Sequence, residues 1–585
     1  MEALIYSILS SKKKKRRVIL IIAFSFLFAV MMIPTKLVLA KMLPGKSANT
    51  FSIYVDTATN SSIKQTEKIT SCVVNYFKKE PSVTDMEVYL AQGAPLDYAG
   101  LVKGSALKRL KNQAEIVVNL TDKHHRDEAS YMMVHRIRPL IQKKCEPLLK
   151  GTTIKFVEMP SGPPTLATIV INLFGKDTTL IRKTALSIEK VLKETEGLVD
   201  VDVMQDDIYP HFQIIPDKEK IIRSGLSVEQ VNNILYLAFQ GMVVAVKNSK
   251  KQQDQIPIFI RLDDSSRMIT PNTREGLYWK LSRLKLLNPK GMMIPIKEVI
   301  SVEEVDSDPT ISRKDLRNLV TITSECDMVS QVYPLLTARD TLIEKLSEDF
   351  EVTKVPGITT YMFDLNLVDK KSGKKLLLRW DGEMKVSLDT FRDLGGAFIA
   401  ALVLMFLLMV VYYKSFALSG IILLASFLSI IGVIVGHYVT DIISLVFAGT
   451  NFFLTATSLI GFISLMGISA RSSLLLIDFS KALILKGVEK RRAIAVSTAT
   501  RAKPILMTAI AIILGSLLLA TDPIFGGLGI ALIFGSIAAT AVSLFLVPVL
   551  IDNSNAICPI GENAKPEPHP GKGIKEHVNP KNLGL

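Results

Sequence analysis

The sequence is poor in cysteine and lacks a nucleotide-binding loop. Four cysteines are too few for a disulfide scaffold in 585 residues. The pattern G-x-x-x-x-G-K-[ST], which would cradle the phosphates of ATP, is absent, so we do not expect ATP to be the energy source. Aromatic residues make up only 7% of the chain and are not interleaved with its positive charges, which argues against a nucleic-acid partner despite a net charge of +15. We therefore expect a protein that is not an enzyme and holds no cofactor.

Apolar residues are in excess, and they are concentrated in blocks. They make up 48% of the chain, with a mean hydropathy of +0.32, which is above the usual share in soluble proteins. Residues 44–390, by contrast, have the composition of ordinary soluble protein. Runs of about 20 apolar residues cross a membrane as helices. We predict six spans: Val18–Ala40, Gly395–Tyr412, Leu418–Gly436, Phe453–Lys481, Pro504–Ala520 and Gly527–Ile551.

The positive charges lie beside these blocks. Lys12–Arg17 (KKKKRR) directly precedes the first block, and a second cluster lies within residues 486–503. The connections predicted on the other side, residues 437–441 and 521–522, have no lysine or arginine. This positive-inside pattern predicts that both termini are cytoplasmic and that residues 44–390 lie on the opposite side. For Lys12–Arg17, a nuclear-localisation signal or a lipid-binding segment is the alternative.

Residues 44–390 alternate between strand-like and helix-like patterns. Two tandem strand–helix–strand units in residues 44–160 predict a ferredoxin-like lobe. Its predicted strands are 51–56, 83–90, 114–120 and 153–159, and its predicted helices are 63–77 and 128–144. A second such lobe is predicted for residues 161–207 and 306–390, interrupted by an insertion at 208–305. Within the insertion, the sequence predicts a capping box at Ser227 and a strand over residues 293–300. The remaining divisions are a basic N-terminus 1–17, the first span 18–43, a five-span bundle 391–551 and a Pro-, Lys- and Gly-rich tail 552–585 that we expect to be disordered. The expected fold class is an α-helical membrane bundle of one plus five spans with a large α+β region.

The cysteines and two other weak signals have simple explanations. Cys72 and Cys145 fall on predicted helices of one lobe and could pair, but we expect them to be unpaired; Cys326 and Cys558 have no obvious partner. The histidines and acids of residues 124–128 (HHRDE) could bind a metal, but an exposed loop is favoured. The adjacent methionines at 132–133 and 292–293 could be soft ligands, yet neighbouring side chains point apart, which favours packing. We predict no metal site.

Several stretches resemble motifs of the resistance-nodulation-division (RND) superfamily of efflux pumps. These pumps contain two halves, each with one span, a periplasmic region and five spans, and residues 15–551 resemble the second half. The longest motif, Gly467–Phe479 (GISARSSLLLIDF), is similar to the fourth-span motif of that half. The other similar stretches are RAKPILMT at 501–508, IIPDKEK at 214–220, GLS at 225–227, IPIKEV at 294–299, YKSF at 413–416 and VPV at 547–549.

The resemblance implies a subunit of a proton-driven transporter that exports drugs or other amphipathic compounds across the bacterial inner membrane. The two lobes would form a periplasmic porter region, and residues 208–305 a docking insertion. The implied partners are a periplasmic adaptor, an outer-membrane channel, the lipid bilayer, a trimeric assembly, and a separate chain equivalent to the N-terminal half. The alternatives are a heavy-metal efflux variant, a non-transporting remnant or scaffold of a split gene, and a half-size relative associated with protein translocation.

Arg471 is the strongest candidate for a functional residue. It lies deep in the predicted fourth span, where a cation costs about 2.5–3.5 kcal/mol on insertion scales unless it has a partner or a water-filled path. In the family, a basic residue at this position pairs with acidic residues of the other half, and their protonation is coupled to transport. An arginine here offers a planar fork that can hold two carboxylates. The alternative is a fixed ion pair that only joins two helices.

By resemblance, Arg501 and Thr508 join the same proton relay. They are seven residues apart, two helical turns, and therefore share one face. The alternatives are a positive-inside anchor for Arg501 and, for Thr508, a hydroxyl bonded to its own helix backbone. Ser472 and Asp478 are candidates for the periphery of the relay, with Asp478 near the cytoplasmic surface.

The acid that Arg471 needs is missing from the predicted spans. The first, second, third, fifth and sixth spans contain no aspartate or glutamate, and Asp478 lies about 10 Å along the helix from Arg471. In the family, the paired aspartates come from the first half. We therefore predict that another set of spans supplies the carboxylates.

Overall fold

The fold is that of a computed structural model, which describes residues 1–554, apart from 160, 161, 163, 164, 253, 329 and 357–362, together with 556 and 557. Most of the predicted disordered tail, with Cys558, lies outside the described residues. The segment Gln205–Thr310 forms one compact unit, and the chain on either side of it forms another. The larger unit contains two α/β lobes and a bundle of apolar helices.

Two helices precede the first lobe. They are α1 (Glu2–Ser10) and α2 (Lys12–Met31). The basic N-terminus was expected only as a charged segment, but Ile5 and Leu9 of α1 are buried against the bundle. Residues 32–39 continue from α2 as turns, and Ala40 pairs with Leu454 in an isolated parallel bridge.

The first lobe is one antiparallel sheet packed against two long helices. Its elements are β1 (Thr50–Asp56), α3 (Ile63–Phe77), β2 (Val83–Leu90), α4 (Tyr98–Lys103), β3 (Gln113–Leu120), α5 (Ser130–Cys145) and β4 (Thr153–Val157). The strand order is β2-β3-β1-β4. At the start of α3, the Ser62 hydroxyl accepts from the backbone N–H of Gln65, whose side chain accepts in return from the Ser62 N–H at 2.8 Å. The tandem strand–helix–strand prediction is confirmed, with ends that differ by at most two residues.

The prediction that Cys72 and Cys145 are unpaired is wrong. They form a disulfide between α3 and α5, with Cα atoms 5.9 Å apart. The two helices pack side by side on the same sheet, which brings together residues separated by 73 positions. Sequence patterns locate both helices but not the turns at which they touch. Cys326 is free.

The weak metal signals have the placements expected of ordinary residues. His124 and His125 are exposed in a loop, and Met133 is buried in the core of the first lobe. Met292 and Met293 are exposed. Within the described residues, no group of three histidine, cysteine or acidic side chains could hold a metal ion.

The second lobe is built from two stretches of the chain. Its elements are β5 (Ile169–Gly175), α6 (Thr178–Glu194), β6 (Leu198–Met204), β13 (Ser312–Lys314), β14 (Arg317–Cys326), α11 (Val332–Leu346), β15 (Phe350–Lys354), β16 (Leu365–Asp369) and β17 (Lys375–Asp381). The strands form one sheet of order β13-β14-β5-β17-β16-β15, with β6 also paired to β14. Both long helices of the lobe pack their apolar sides, such as Ile188 and Leu342, into one core.

The Gln205–Thr310 unit is a separate small α/β structure. Its elements are β7 (Pro210–Pro216), α7 (Lys218–Arg223), α8 (Val228–Phe239), β8 (Met242–Lys247), β9 (Ile256–Ile260), α9 (Asp264–Arg267), α10 (Arg274–Arg283), β10 (Lys285–Leu287), β11 (Met293–Pro295) and β12 (Ile300–Asp306). The capping box predicted at Ser227 is present. The strand predicted over residues 293–300 is confirmed only for Met293–Pro295, because a short turn at Ile296–Glu298 follows Pro295, which has no N–H for a continuing ladder. The role of this unit in docking stays a prediction.

In the part of the chain that the structure describes, seven helical segments make up five apolar helices that are long enough to cross a membrane. They are α12 (Glu383–Tyr413), α13 (Phe416–Phe427) with α14 (Ile430–Ala448), α15 (Ala456–Leu485), α16 (Lys490–Ala520), and α17 (Gly526–Ala541) with α18 (Val547–Asn553), which a π-helical segment joins. Close packing holds α14 on α17, since a Cβ at Gly432 would lie 2.2 Å from the Phe534 carbonyl oxygen.

The predicted span boundaries need three corrections. Residues 437–441 were predicted as a connection but are helical in α14. The helices α12 and α16 begin 12 and 14 residues before the predicted spans, because helices continue past the apolar segment that hydropathy detects. The helix of the first predicted span ends at Met31, not Ala40, and α2 is not among the five apolar helices. At the other terminus, α18 continues to Asn553 and Ile557 is buried, so the predicted disorder does not begin at residue 552.

Candidate functional site

The helix α15 places Arg471 midway along the bundle. The helix is fixed at its start by a capping box, in which the Thr455 hydroxyl accepts from the Ser458 N–H and the Ser458 hydroxyl accepts from the Thr455 N–H. One side of α15 is buried against neighbouring helices, whereas the opposite side is a stripe of exposed residues at helical spacing. We call this stripe the open face of α15: Ile460, Ser464, Gly467, Arg471 and Leu475.

Arg471 has no acidic partner among the residues that the structure describes. Its side chain is exposed on the open face, and no carboxylate oxygen of the described residues lies within 4.0 Å of its guanidinium. Apolar residues line the helix above and below it. A cation in such a position is costly in lipid unless protein or water covers it. In a membrane, the open face of α15 would therefore need to be covered by protein or water at Arg471.

Asp478, two turns further along α15, is held by a different helix. The Tyr413 hydroxyl of α12 donates to its Oδ1 at 2.8 Å, and the Tyr412 hydroxyl lies 3.5 Å from its Oδ2. A separation of seven residues corresponds to about 10 Å of helix rise, so Asp478 does not neutralise Arg471. The sequence suggested the separation but not the tyrosine partners.

Arg501 of α16 stacks on α15 rather than pairing with an acid. Its guanidinium lies over the Phe479 ring, 5.0 Å from the centroid. Its Nε is buried and has no hydrogen-bond partner among the described residues. The contact places Arg501 of α16 at the level of Phe479 along α15. Phe479 lies eight residues, about 12 Å, beyond Arg471.

Thr508 consequently lies near the level of Arg471. The helices α15 and α16 run in opposite directions. Thr508 lies seven residues, about 10 Å, after Arg501 on α16, which brings it back to the level of Ser472 on α15. The Thr508 hydroxyl donates to the Ile505 carbonyl at 2.8 Å. The Ser472 hydroxyl donates to its own helix at 3.3 Å. Both hydroxyls are thus engaged with backbone carbonyls in the present arrangement.

A cluster of charged side chains lies at the far end of the bundle, by which we mean the end opposite the lobes. The sequence analysis did not predict this cluster. Asp552 of α18 pairs with Lys15 of α2, and Arg491 of α16 approaches it at 3.6 Å. The Asp552 carboxylate is 4% exposed, so this acid is enclosed by its partners. In the sequence, the signal for this cluster is an aspartate that directly follows an apolar run.

A buried histidine near the lobe end was also missed. His437 of α14 is fully buried; its Nδ1 lies 2.7 Å from the Val433 carbonyl and its Nε2 2.8 Å from the Ser458 hydroxyl. The carbonyl can only accept, so Nδ1 carries a proton and donates to it. The contact joins α14 to the cap of α15, which is a structural role.

A polar cavity of about 410 Å³ lies where the first lobe meets the bundle. Its lining includes Lys41, Tyr131, Glu158, Asn451 and Thr455. Burial raises the pKa of Glu158 to about 7, against the opposing effect of the Arg138 charge. Thr455 precedes Arg471 by 16 residues, about 24 Å of helix, so this cavity is separate from the Arg471 site.

Comparison with known proteins places this geometry in a family. The family model described as AcrB/AcrD/AcrF matches residues 3–353 and 366–551. The chain belongs to the AcrB/AcrD/AcrF family of RND proteins. This family and the five apolar helices indicate a multi-pass inner-membrane protein with the RND pump fold.

The RND relatives are distant and longer. The swarming motility protein SwrC of Bacillus subtilis is 25% identical over 393 residues, which is 65% of this chain and 32% of SwrC. The cobalt-zinc-cadmium resistance protein CzcA of Cupriavidus metallidurans is 23% identical over 411 residues, 68% of this chain and 34% of CzcA. A crystal structure of a heavy metal efflux pump superposes with a TM-score of 0.70 at 19% identity, covering 94% of this chain and 52% of that one. The chain thus spans about a third of these curated relatives and half of the solved pump.

Proposed function

We propose that this chain is part of a proton-driven RND efflux transporter and that Arg471 is the fixed cation of its proton relay. The observation that carries the proposal is Arg471 itself, which lies midway along an apolar helix, on an open face, with no acid of the described residues in reach. An ion pair that merely joined two helices of this chain would show a partner here. A transporter is therefore proposed in preference to an enzyme.

In the proposed relay, carboxylates from another set of membrane spans meet Arg471 on the open face of α15. The guanidinium stays charged at all physiological pH values, so the carboxylates gain and lose the proton. When a carboxylate is protonated, its attraction to Arg471 falls and the helices can move relative to each other. Thr508, at the same height, is placed to orient the proton. One charge crossing 100 mV gains about 2.3 kcal/mol, which can drive such a movement.

The orientation and assembly follow the same proposal. The far end of the bundle, with Lys15 and Arg491, would be cytoplasmic, and both lobes periplasmic. The sheet order β2-β3-β1-β4 with helices after β1 and β3 supports ferredoxin-like porter lobes. The α2 helix, packed on the bundle through Phe26 and Ala29, would supply the first of one plus five spans. A periplasmic adaptor, an outer-membrane channel and a trimeric arrangement are the proposed partners, with the second set of spans on a separate chain.

Two substrate classes are proposed. Amphipathic organic compounds are the class that the sequence resemblance favours. Divalent metal ions are the second candidate, because CzcA and the superposed pump structure are named for metal resistance or metal efflux.

The test is substrate-dependent proton movement in inverted membrane vesicles that contain the chain with its complementary spans. We expect an amphipathic dye or a divalent ion, but not both, to collapse an imposed pH gradient, and Arg471→Ala to abolish the response while the protein remains in the membrane. Equal responses with and without Arg471 would contradict the relay. A non-transporting scaffold would bind the adaptor but show no response to either substrate.

A further inference from the structure

One face of α2 carries three cations directly next to an apolar groove. Lys13, Arg16 and Arg17 lie on the same side as Leu20, Ile21 and Phe24, with the spacing of neighbouring turns of one helix. All six residues are exposed, and Phe24 is 71% exposed. We call this set the α2 groove. The apolar part continues toward the middle of the bundle through further exposed side chains: Leu27, Phe28 and Met31.

The cations of the α2 groove have no acidic partners in the described part of the chain. Among the described residues, no carboxylate lies within 4.0 Å of Lys13, Arg16 or Arg17. Lys15, on the other side of the same helix turn, is paired with Asp552. Lys14 donates to the Ser7 hydroxyl at 2.5 Å. The basic segment is therefore divided into a side engaged with the protein and a side that is open.

The opposite side of α2 shows that the groove faces away from the bundle. The Phe26 ring packs on Phe427 of α13 with centroids 5.8 Å apart, and Ala29 and Met32 are fully buried. The helix is thus docked on the apolar helices along one side. The groove is on the side left exposed, where the described residues provide no cover.

A ligand that matches this arrangement has an anionic head and an apolar chain. Three cations within two turns can bind phosphate oxygens, with the two guanidinium groups offering bidentate hydrogen bonds. An acyl chain below the phosphate would cover Leu20, Ile21 and Phe24, which form an apolar surface directly next to the cations. A free phosphate would satisfy the cations but leave the apolar part bare.

We propose that the α2 groove is a binding site for an anionic phospholipid of the cytoplasmic leaflet, such as phosphatidylglycerol. The proposal rests on the proposed orientation, in which the far end of the bundle is cytoplasmic, but not on the Arg471 relay. A basic residue near an anionic membrane surface contributes attraction equivalent to about a fivefold change in affinity. Removal of all three cations should therefore weaken binding by about a hundredfold.

The test is native mass spectrometry of the full chain in detergent, titrated with phosphatidylglycerol or phosphatidylcholine. We expect wild-type protein to retain phosphatidylglycerol preferentially. The triple variant Lys13→Gln, Arg16→Gln and Arg17→Gln should lose this preference, and the charge-retaining variant Lys13→Arg, Arg16→Lys and Arg17→Lys should keep most of it. The control is Lys486→Gln, Arg492→Gln and Lys503→Gln, which removes the same charge from exposed positions elsewhere.

Each outcome decides the proposal. Loss of phosphatidylglycerol in the first variant but not in the control would support it. Equal loss in both would overturn it, because the attraction would then depend on net charge alone. Displacement of the lipid by inorganic phosphate alone would also overturn the proposal. So would the absence of retained lipid on the wild-type protein. Arg471→Ala should leave lipid retention unchanged, which separates this site from the relay.

Discussion

The two α/β lobes and the helical bundle differ in how their charged side chains are paired. In the lobes, Arg138 is 5% exposed and pairs with Asp327 at 2.8 Å and Asp200 at 3.3 Å. Lys155 lies between Asp202 at 2.6 Å and Asp56 at 3.1 Å. The bundle closes its far end in the same way but leaves the cation midway along α15 open.

This difference sets Arg471 apart from the paired cations of the lobes. A buried charge without a partner is strongly unfavourable, so an enclosed structure supplies the counterion itself. The lobes do so with acids from several strands. Among the described residues, the bundle does so at Asp552 but not at Arg471, and this is the basis of our proposal that Arg471 meets further membrane spans. The following experiments test this contrast.

Neutralising Arg471 should have the largest effect. In cells that contain the complementary spans, we expect Arg471→Gln to lower export by at least about a hundredfold, because the carboxylates lose the charge that their protonation must respond to. Lys503→Gln is the matched control, since it removes one positive charge from an exposed position on α16. Export rates at equal membrane abundance are the measurement. A comparable loss in both variants would show that Arg471 acts only through net charge.

Removing the disulfide should be the largest change within the lobes. It closes a loop of 73 residues, for which the chain-entropy model gives about 4 kcal/mol of stability. We expect Cys72→Ser to lower the thermal midpoint of the lobe and to increase its proteolysis. The free cysteine provides the control: Cys326→Ser should change the midpoint much less. Equal changes of the midpoint in the two variants would mean that the disulfide does not stabilise the lobe beyond the contribution of a single cysteine side chain.

Breaking the Tyr413–Asp478 hydrogen bond should have a smaller effect. The bond joins α12 to α15 at 2.8 Å, and hydrogen bonds to charged groups contribute about 1.5–3 kcal/mol. Tyr413→Phe should lower the thermal stability of the bundle accordingly. Tyr412→Phe should have little effect, since its hydroxyl is 3.5 Å from the carboxylate. The reverse order would show that Asp478 depends on the other tyrosine.

The last expected effect is a pH dependence at Glu158. Its pKa of about 7 is above the ordinary value of 4.5, so the folded protein binds this proton more tightly than the unfolded chain does. Its contribution to stability should therefore fall as the pH rises from about 4.5 to 7. Glu158→Gln should remove that slope in thermal unfolding, and the gain over the wild type should be greatest above pH 7. An unchanged slope would assign the pH dependence to other groups.

The sequence was sufficient for local elements and insufficient for contacts between them. Strand and helix periodicity located α3 without error and β1 to within one residue, because each depends on local patterns of burial. The disulfide and the Tyr413–Asp478 bond join residues 73 and 65 positions apart, and no local pattern specifies them. Arg471 was identified because a cation in an apolar run is conspicuous without any contact. Hydropathy marked the membrane segments but not the helix ends, which continue into polar sequence at Glu383 and Lys490.

The most direct test of the account is photo-crosslinking from the open face of α15. A photoreactive amino acid at position 467 or 475, one turn on either side of Arg471, would be activated in membranes that contain the complete transporter. We predict cross-links to peptides with an aspartate or glutamate inside an apolar run of about 20 residues. The same amino acid at position 408 of α12, where Leu408 is 64% exposed, should give mainly lipid adducts. Lipid adducts alone from positions 467 and 475 would contradict the claim that Arg471 meets carboxylates from further spans.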